Sequence, residues 1–71
     1  MYGNVGNLSI DSMPAGARIY LNEIYNGTTN RNLINISSGI YSLTLSKPGF
    51  VNYTVNISVY IGQTSYINVI L

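Results

Sequence analysis

The chain has no cysteine, no histidine and no tryptophan among its 71 residues. Without cysteine no disulfide can staple the fold, and without a His–Cys cluster no structural zinc can replace it. The missing cysteines do not argue against an extracellular life; they remove only its usual sign. Without histidine or cysteine, the common nucleophile–base pairs of hydrolytic chemistry cannot be assembled. Charge is scarcer than it should be. Charged residues make up 7% of the chain, for a net charge of +1, against about 25% in an ordinary soluble domain. Three basic residues cannot build a phosphate-binding surface, which excludes nucleic acid as a partner. The two carboxylates, Asp11 and Glu23, are too few to hold a hard cation. A carboxylate-pair mechanism would need them to converge. Asp11 instead stands beside a corner, where it would bond to backbone amides, and Glu23 at a hairpin tip. No catalytic residue, metal site or cofactor is therefore assigned, and the chain is not expected to be an enzyme. No apolar run approaches the length of a membrane span, so no membrane insertion is expected. No signal peptide is visible. Met1 stands almost directly before the first apolar stretch, as in a mature or excised fragment with an added start.

Helix formers are scarce too, whereas Ile, Val, Tyr and Thr abound, and no 3.6-residue period survives anywhere. The period that is present is two. Leu8 and Ile10 alternate with Asn7, Ser9 and Asp11; Ala17, Ile19 and Leu21 alternate with Arg18 and Tyr20. Between these runs lies Ser12-Met13-Pro14-Ala15-Gly16. Pro14 has a fixed φ and no N–H, and Gly16 can take a positive φ without steric cost. The pair reads as a tight corner between two strands. Asn22-Glu23 follows as a hairpin tip, then a short Ile24–Tyr25 strand, then Asn26-Gly27 as a turn dipeptide and residues 28–32 as loop. Leu33, Ile34 and Ile36 lead to a turn at Ser37-Ser38-Gly39. Residues 40–46 form the clearest strand of the first half. Lys47-Pro48-Gly49 is a turn, residues 51–61 alternate without a break, Gly62-Gln63 turns, and residues 65–71 close the chain.

These signals predict an all-β fold: a small antiparallel β-sandwich of 6–7 strands with no helix, forming a single domain over residues 1–71 with residues 1–4 as a lead-in. A small antiparallel barrel is the alternative. The expected core is Leu8, Ile10, Ala17, Ile19, Leu21, Tyr41, Leu43, Leu45, Tyr53, Val55, Ile57, Ile67, Val69 and Leu71. So short a chain buries only about 60% of its unfolded surface, so that core is marginal.

The corner carries a resemblance. Pro14-Ala15-Gly16-Ala17 resembles the Pro-Glu-Gly-Ala signature of the PEGA domain, with Ala15 where the signature has glutamate. Further pieces agree in order. They are Gly6 to Ser12 before the motif, then Ile19-Tyr20-Leu21-Asn22, Gly27-Thr28-Thr29, Ser38 to Leu45, Lys47-Pro48-Gly49-Phe50 with Pro48 and Gly49 at its centre, and Gly62-Gln63-Thr64. The likeness spans nearly the whole chain, from about Gly6 to Leu71. It implies a small all-β module of archaeal or bacterial surface proteins, often repeated in tandem, with no catalytic residues.

Two further patterns bear on function. The sequon Asn-x-Ser/Thr occurs at Asn7, Asn26, Asn35, Asn52 and Asn56, never with a middle proline. Chance placement of the Asn, Ser and Thr residues would give about two. Alternation on a strand's polar face accounts for some of the excess at Asn7, Asn52 and Asn56, but not for Asn26. Sugars there would supply the hydration that charge does not. Outward tyrosines, Tyr20, Tyr60 and Tyr66, could stack on sugar rings, although cross-strand pairing is the plainer use. The reading is an extracellular, cell-surface structural module or self-assembling fibre unit that is N-glycosylated. Its expected partners are copies of itself or neighbouring tandem domains, with covalent glycans. The alternative is a carbohydrate- or protein-binding module.

Overall fold

The computed structural model describes residues 4–71; of the expected lead-in, residues 1–3 lie outside the described residues. Seven strands follow one another: β1 Val5–Met13, β2 Arg18–Leu21, β3 Ile24–Thr28, β4 Arg31–Ser37, β5 Gly39–Ser46, β6 Tyr53–Val59 and β7 Thr64–Ile70. They form two sheets, a three-stranded one in the order β4-β1-β7 and a four-stranded one in the order β3-β2-β5-β6. Among the described residues the fold is all-β, without helix and in two sheets, the sandwich and not the barrel alternative. Every pairing is antiparallel except one: β1 and β7 run parallel, in unbroken register from Asn7↔Thr64 to Met13↔Ile70.

The corner does what its residues predict. Gly16 sits at φ +87°, and the chain passes from β1 in one sheet to β2 in the other. Thr29 holds it shut. Its N–H donates to the Ala17 carbonyl at 2.8 Å, its carbonyl accepts from the Gly16 N–H at 2.8 Å, and its hydroxyl oxygen accepts from the Ala17 N–H at 3.0 Å. That hydroxyl also bonds to Ser12, whose own hydroxyl donates to the Pro14 carbonyl at 2.8 Å. Asn30 completes the knot by accepting the Ser12 N–H at 3.0 Å. Ser12 and Thr29 are buried polar residues, and this network satisfies them.

Between the sheets lie Leu8, Ile10, Ala17, Ile19, Leu21, Leu33, Leu43, Leu45, Val59 and Val69, with Ile36, Tyr41, Val55, Ile57, Ile67 and Leu71 packed around them. Tyr53 was expected among these and is not: it is 38% exposed, and Val51 two residues before it is 89% exposed. The reason is a mismatch of layers. β6 is the edge of a four-stranded sheet that faces only three strands. The start of its inward face, at Tyr53, opens onto a groove that it lines with Ile70 and Leu71, while Val55 and Ile57 are partly covered and Val59 is buried. The inward-facing period was correct; what it could not tell was how far the opposing sheet extends.

Two further expectations are corrected. Residues 28–32 are mostly strand, since β3 runs to Thr28 and β4 starts at Arg31. Asn26-Gly27 is not a turn. The register slips by one residue between Arg18↔Thr28 and Tyr20↔Tyr25, so the dipeptide forms a bulge within β3, with Gly27 at φ +96°. The turn at 47–50 is as expected, closed by the Phe50 N–H on the Lys47 carbonyl at 3.0 Å, with Gly49 at φ +88°.

Candidate functional site

The outer face of the four-stranded sheet can be built row by row from its registers. Tyr25 lies beside Tyr20, Tyr20 beside Thr44, and Thr44 beside Thr54. All four side chains stand on the face opposite the core residues Ile19, Leu21, Leu43 and Leu45. The two rings meet edge to face, 5.9 Å between centroids and 61° between planes, within the range of a favourable aromatic pair. The hydroxyls of Thr44 and Thr54 lie 3.1 Å apart. A shallow cavity of about 330 Å³ opens along this face, lined by Tyr20, Glu23, Thr44, Ser46 and Asn52. One aromatic ring, one carboxylate, two hydroxyls and one amide thus converge on it.

Glu23 reaches that position through an unusual backbone. Asn22 and Glu23 form the two-residue tip between β2 and β3, with φ of +49° and +69°. This is the conformation that a tight hairpin demands of both tip residues and that Asn-Gly usually supplies. Asn22 suits it, and its side-chain oxygen accepts the Ser42 N–H at 2.9 Å. A glutamate in the second position is strained.

The sequon asparagines fall into two groups. Asn52 and Asn56 are exposed on the outer side of the four-stranded sheet, as the alternation predicted; Asn56 faces Ser42 in the ladder. The other three are tied into backbone irregularities. Asn35 has φ +57° and sits at the bulge of β4, where its N–H donates to the Asn7 side-chain oxygen at 3.4 Å. Asn26 belongs to the β3 bulge, and its amide donates to the Ile24 carbonyl at 3.0 Å. The three outward tyrosines do not share a platform. Tyr20 lies on the four-stranded sheet, Tyr66 on the other sheet, and Tyr60 between β6 and β7. The partner that Tyr20 does have, Tyr25, was legible: the two positions are symmetric about the Asn22-Glu23 tip.

Of the signature residues, Ala17 is fully buried and Pro14 half-buried, while Ala15 and Gly16 are exposed. Lys47 reaches toward Gly16 from the neighbouring turn, where Pro48 and Gly49 are exposed. These positions shape the corner and carry no reactive group. Thr29 and Asn30, which clamp it, were missed, because nothing local marks them. Asp11 and Glu23 belong to different sheets. Among the described residues no three His, Cys, Asp or Glu side chains gather into a metal-binding group, and no helix is long and apolar enough to cross a membrane.

What these features define is a small all-β module whose one distinctive local device is a hydrogen-bonded Pro–Gly corner. Residues 5–71 match the PEGA domain, and the chain belongs to that family. It is a non-catalytic domain family generally found in extracellular or surface proteins. Comparison with curated proteins finds no match.

Proposed function

We propose that this chain is a non-catalytic structural module of an extracellular, N-glycosylated prokaryotic surface protein or fibre, acting as a spacer that joins end to end with its neighbours. The parallel β1–β7 pair carries this reading. Because the first and last strands run side by side in the same direction, the chain comes in at one end of the sandwich and leaves at the other. An antiparallel first and last pair would bring both to one end. A unit built this way adds its full length to an array. The molecule is long for its width, 44 × 18 × 16 Å.

A second observation supports contact with copies. The four edge strands are β3 and β4, which a two-residue link joins on one side, and β6 and β7, which adjoin on the other. Both β3 and β4 carry a bulge, and Arg31 begins β4. Bulges and charges are the devices that protect sheet edges from pairing. β6 and β7 have neither a bulge nor a charge nor a proline. One side of the module is guarded and the other is open to strand addition. Above the open side, at the end where β7 leaves, Phe50, Val51, Tyr53, Ile70 and Leu71 line an uncovered apolar groove, which the next unit of an array would cover.

Sugars on the sequons, Asn52 and Asn56 foremost, would hydrate faces that lack charge and limit clumping to the chosen contacts. Intact mass of protein from its native source tests that part: added hexose masses support it, and a bare polypeptide mass removes it. Light scattering of the 71-residue chain at micromolar concentration tests assembly. Particles above monomer mass are expected; a clean monomer across the range would leave the spacer and remove self-assembly.

A further inference from the structure

We infer that the cavity on the four-stranded sheet is the seat of a sugar attached to Asn52, with the pyranose ring lying against Tyr20. The inference rests on the glycosylation reading above and adds to it a site, a contact and a structural effect.

The geometry comes first. Asn52 stands at the rim of the cavity and Tyr20, Thr44, Ser46 and Glu23 line the rest. Asn52 precedes β6 and Tyr20 belongs to β2, with β5 between them. Asn52 stands one residue before Tyr53, the partner of Leu45, so its row runs through Ser46 to Arg18, and Tyr20 stands two residues further along, beside Thr44. Two strand spacings of about 4.8 Å and an offset of about 7 Å put the two backbones about 12 Å apart. An asparagine side chain followed by one pyranose ring, met by the Tyr20 side chain that lines the same cavity, spans that gap. A ring laid down from Asn52 crosses Ser46 and Thr44 and meets Tyr20, and a cavity of about 330 Å³ has room for one such ring.

The chemistry fits. A pyranose has an apolar C–H face and a rim of hydroxyls. The tyrosine ring offers the apolar surface that such a face stacks on, and a hydroxyl beyond it. Thr44 and Ser46 can donate or accept, and the Glu23 carboxylate accepts from sugar hydroxyls in a charge-assisted bond. Tyr25, edge-on to Tyr20, fixes the platform from the far side. The strained φ of Glu23 keeps a carboxylate at a tip where glycine would be relaxed, the kind of exception that marks a used position.

Tethering decides between an attached sugar and a free one. A single ring on a single tyrosine in an open cavity binds weakly. Attachment at Asn52 raises the local sugar concentration to the millimolar range or above, so a contact too weak to capture free sugar is populated when the sugar is attached. The sequon Asn52-Tyr53-Thr54 supplies the attachment point. Asn56, also exposed on β6, does not line the cavity and serves as the internal control.

The test uses the 71-residue chain made by chemical synthesis, which makes it independent of natural glycosylation. One version carries a single N-acetylglucosamine on Asn52, one carries it on Asn56, and one carries none. The sugar on Asn52 should raise the melting temperature by about 4 °C, the scale of one good aromatic contact in a domain this small. On Asn56 it should do less than half of that. The ring protons of the Asn52 sugar should move upfield in NMR and show contacts to Tyr20. Tyr20→Leu, measured with and without the sugar, should abolish the difference. An equal effect at both positions, a gain that survives Tyr20→Leu, or sugar protons at free-solution shifts would each overturn the inference. The NMR arm needs no variant, so it decides even if Tyr20→Leu fails to fold. Failure of natural glycosylation would appear separately, in the native mass.

Discussion

At the residue scale the fold depends on a few positions where no other side chain is accommodated. Gly6 is the clearest. It is buried in β1 where the link between β6 and β7 crosses it: the Asn7 N–H donates to the Gln63 carbonyl and the Gly62 N–H to the Val5 carbonyl, both at 2.8 Å. A Cβ on Gly6 would lie 2.2 Å from the Tyr60 carbonyl oxygen. Backbone cannot step aside as a flexible side chain can, so Gly6→Ala should cost about 2 kcal/mol or more. Chemical denaturation would show this as a lower midpoint at unchanged slope, and an unchanged midpoint would contradict the crossing. Thr29→Val is the second case. It keeps the shape but removes the hydroxyl that accepts from Ala17 and bonds to Ser12. Two buried groups lose a partner, and the expected loss is about 2 kcal/mol. A loss below about 0.5 kcal/mol would show that water replaces the hydroxyl. Glu23→Gly goes the other way. It relieves a glutamate held at φ +69°, and the unglycosylated chain should gain about 0.5–1 kcal/mol. A destabilised variant would mean that the Glu23 side chain has a structural partner.

At the element scale the contrast between the two sides of the sandwich makes a prediction about edges. Two lysines on β7, at Tyr66 and Asn68, both exposed on its outer face, should prevent association through that edge while leaving the melting temperature nearly unchanged. The same pair of lysines on β4, at Asn32 and Ile34, should not, because that edge is already bulged. Sedimentation of both variants beside the parent chain separates them; equal behaviour would remove the special status of β7. The open edges were legible in advance, since an absence of charge and proline is visible in the letters of residues 53–59 and 64–70. The bulges that guard the opposite side were not. Asn26-Gly27 has the letters of a hairpin turn, and only the pairing of its flanks, Tyr25 with Tyr20 and Thr28 with Arg18, makes it a bulge. Direction was hidden for the same reason. Alternation tells which face of residues 64–70 is inward but not that the strand runs parallel to β1, because both directions share a period of two. The cavity was half legible. Tyr20 and Asn52 were marked as outward, but their meeting over Ser46 and Thr44 depends on β5 lying between them.

At the scale of the whole molecule, the decisive property is that β1 and β7 run parallel, so Val5 and Ile70 lie at opposite ends of the sandwich. Consider two copies joined in tandem, the second following Leu71 of the first. Leu71 is anchored by its N–H to the Met13 carbonyl at 2.9 Å, so the join leaves from a fixed point beside the Pro14–Gly16 corner. On the spacer reading, the second copy begins there and runs on, away from the first. The uncovered apolar groove beside the join, from Phe50 to Tyr53 and at Ile70 and Leu71, stiffens the arrangement, since covering it removes apolar surface from water. The open β6–β7 side faces sideways along the whole rod. Two rods can therefore pair by their sides, and a contact that uses the same edge on both partners closes on itself. On the proposed reading, length would come from the tandem join and thickness from the edge, two separate properties. Small-angle scattering of a two-unit tandem carrying the β7 lysines, so that side pairing is suppressed, isolates the first. Its maximum dimension should approach twice the 44 Å of a single unit, with a cross-section unchanged from the monomer. A tandem whose maximum dimension stays near that of one unit, with a doubled cross-section, would mean that the second copy folds back beside the first, and the spacer reading would fall.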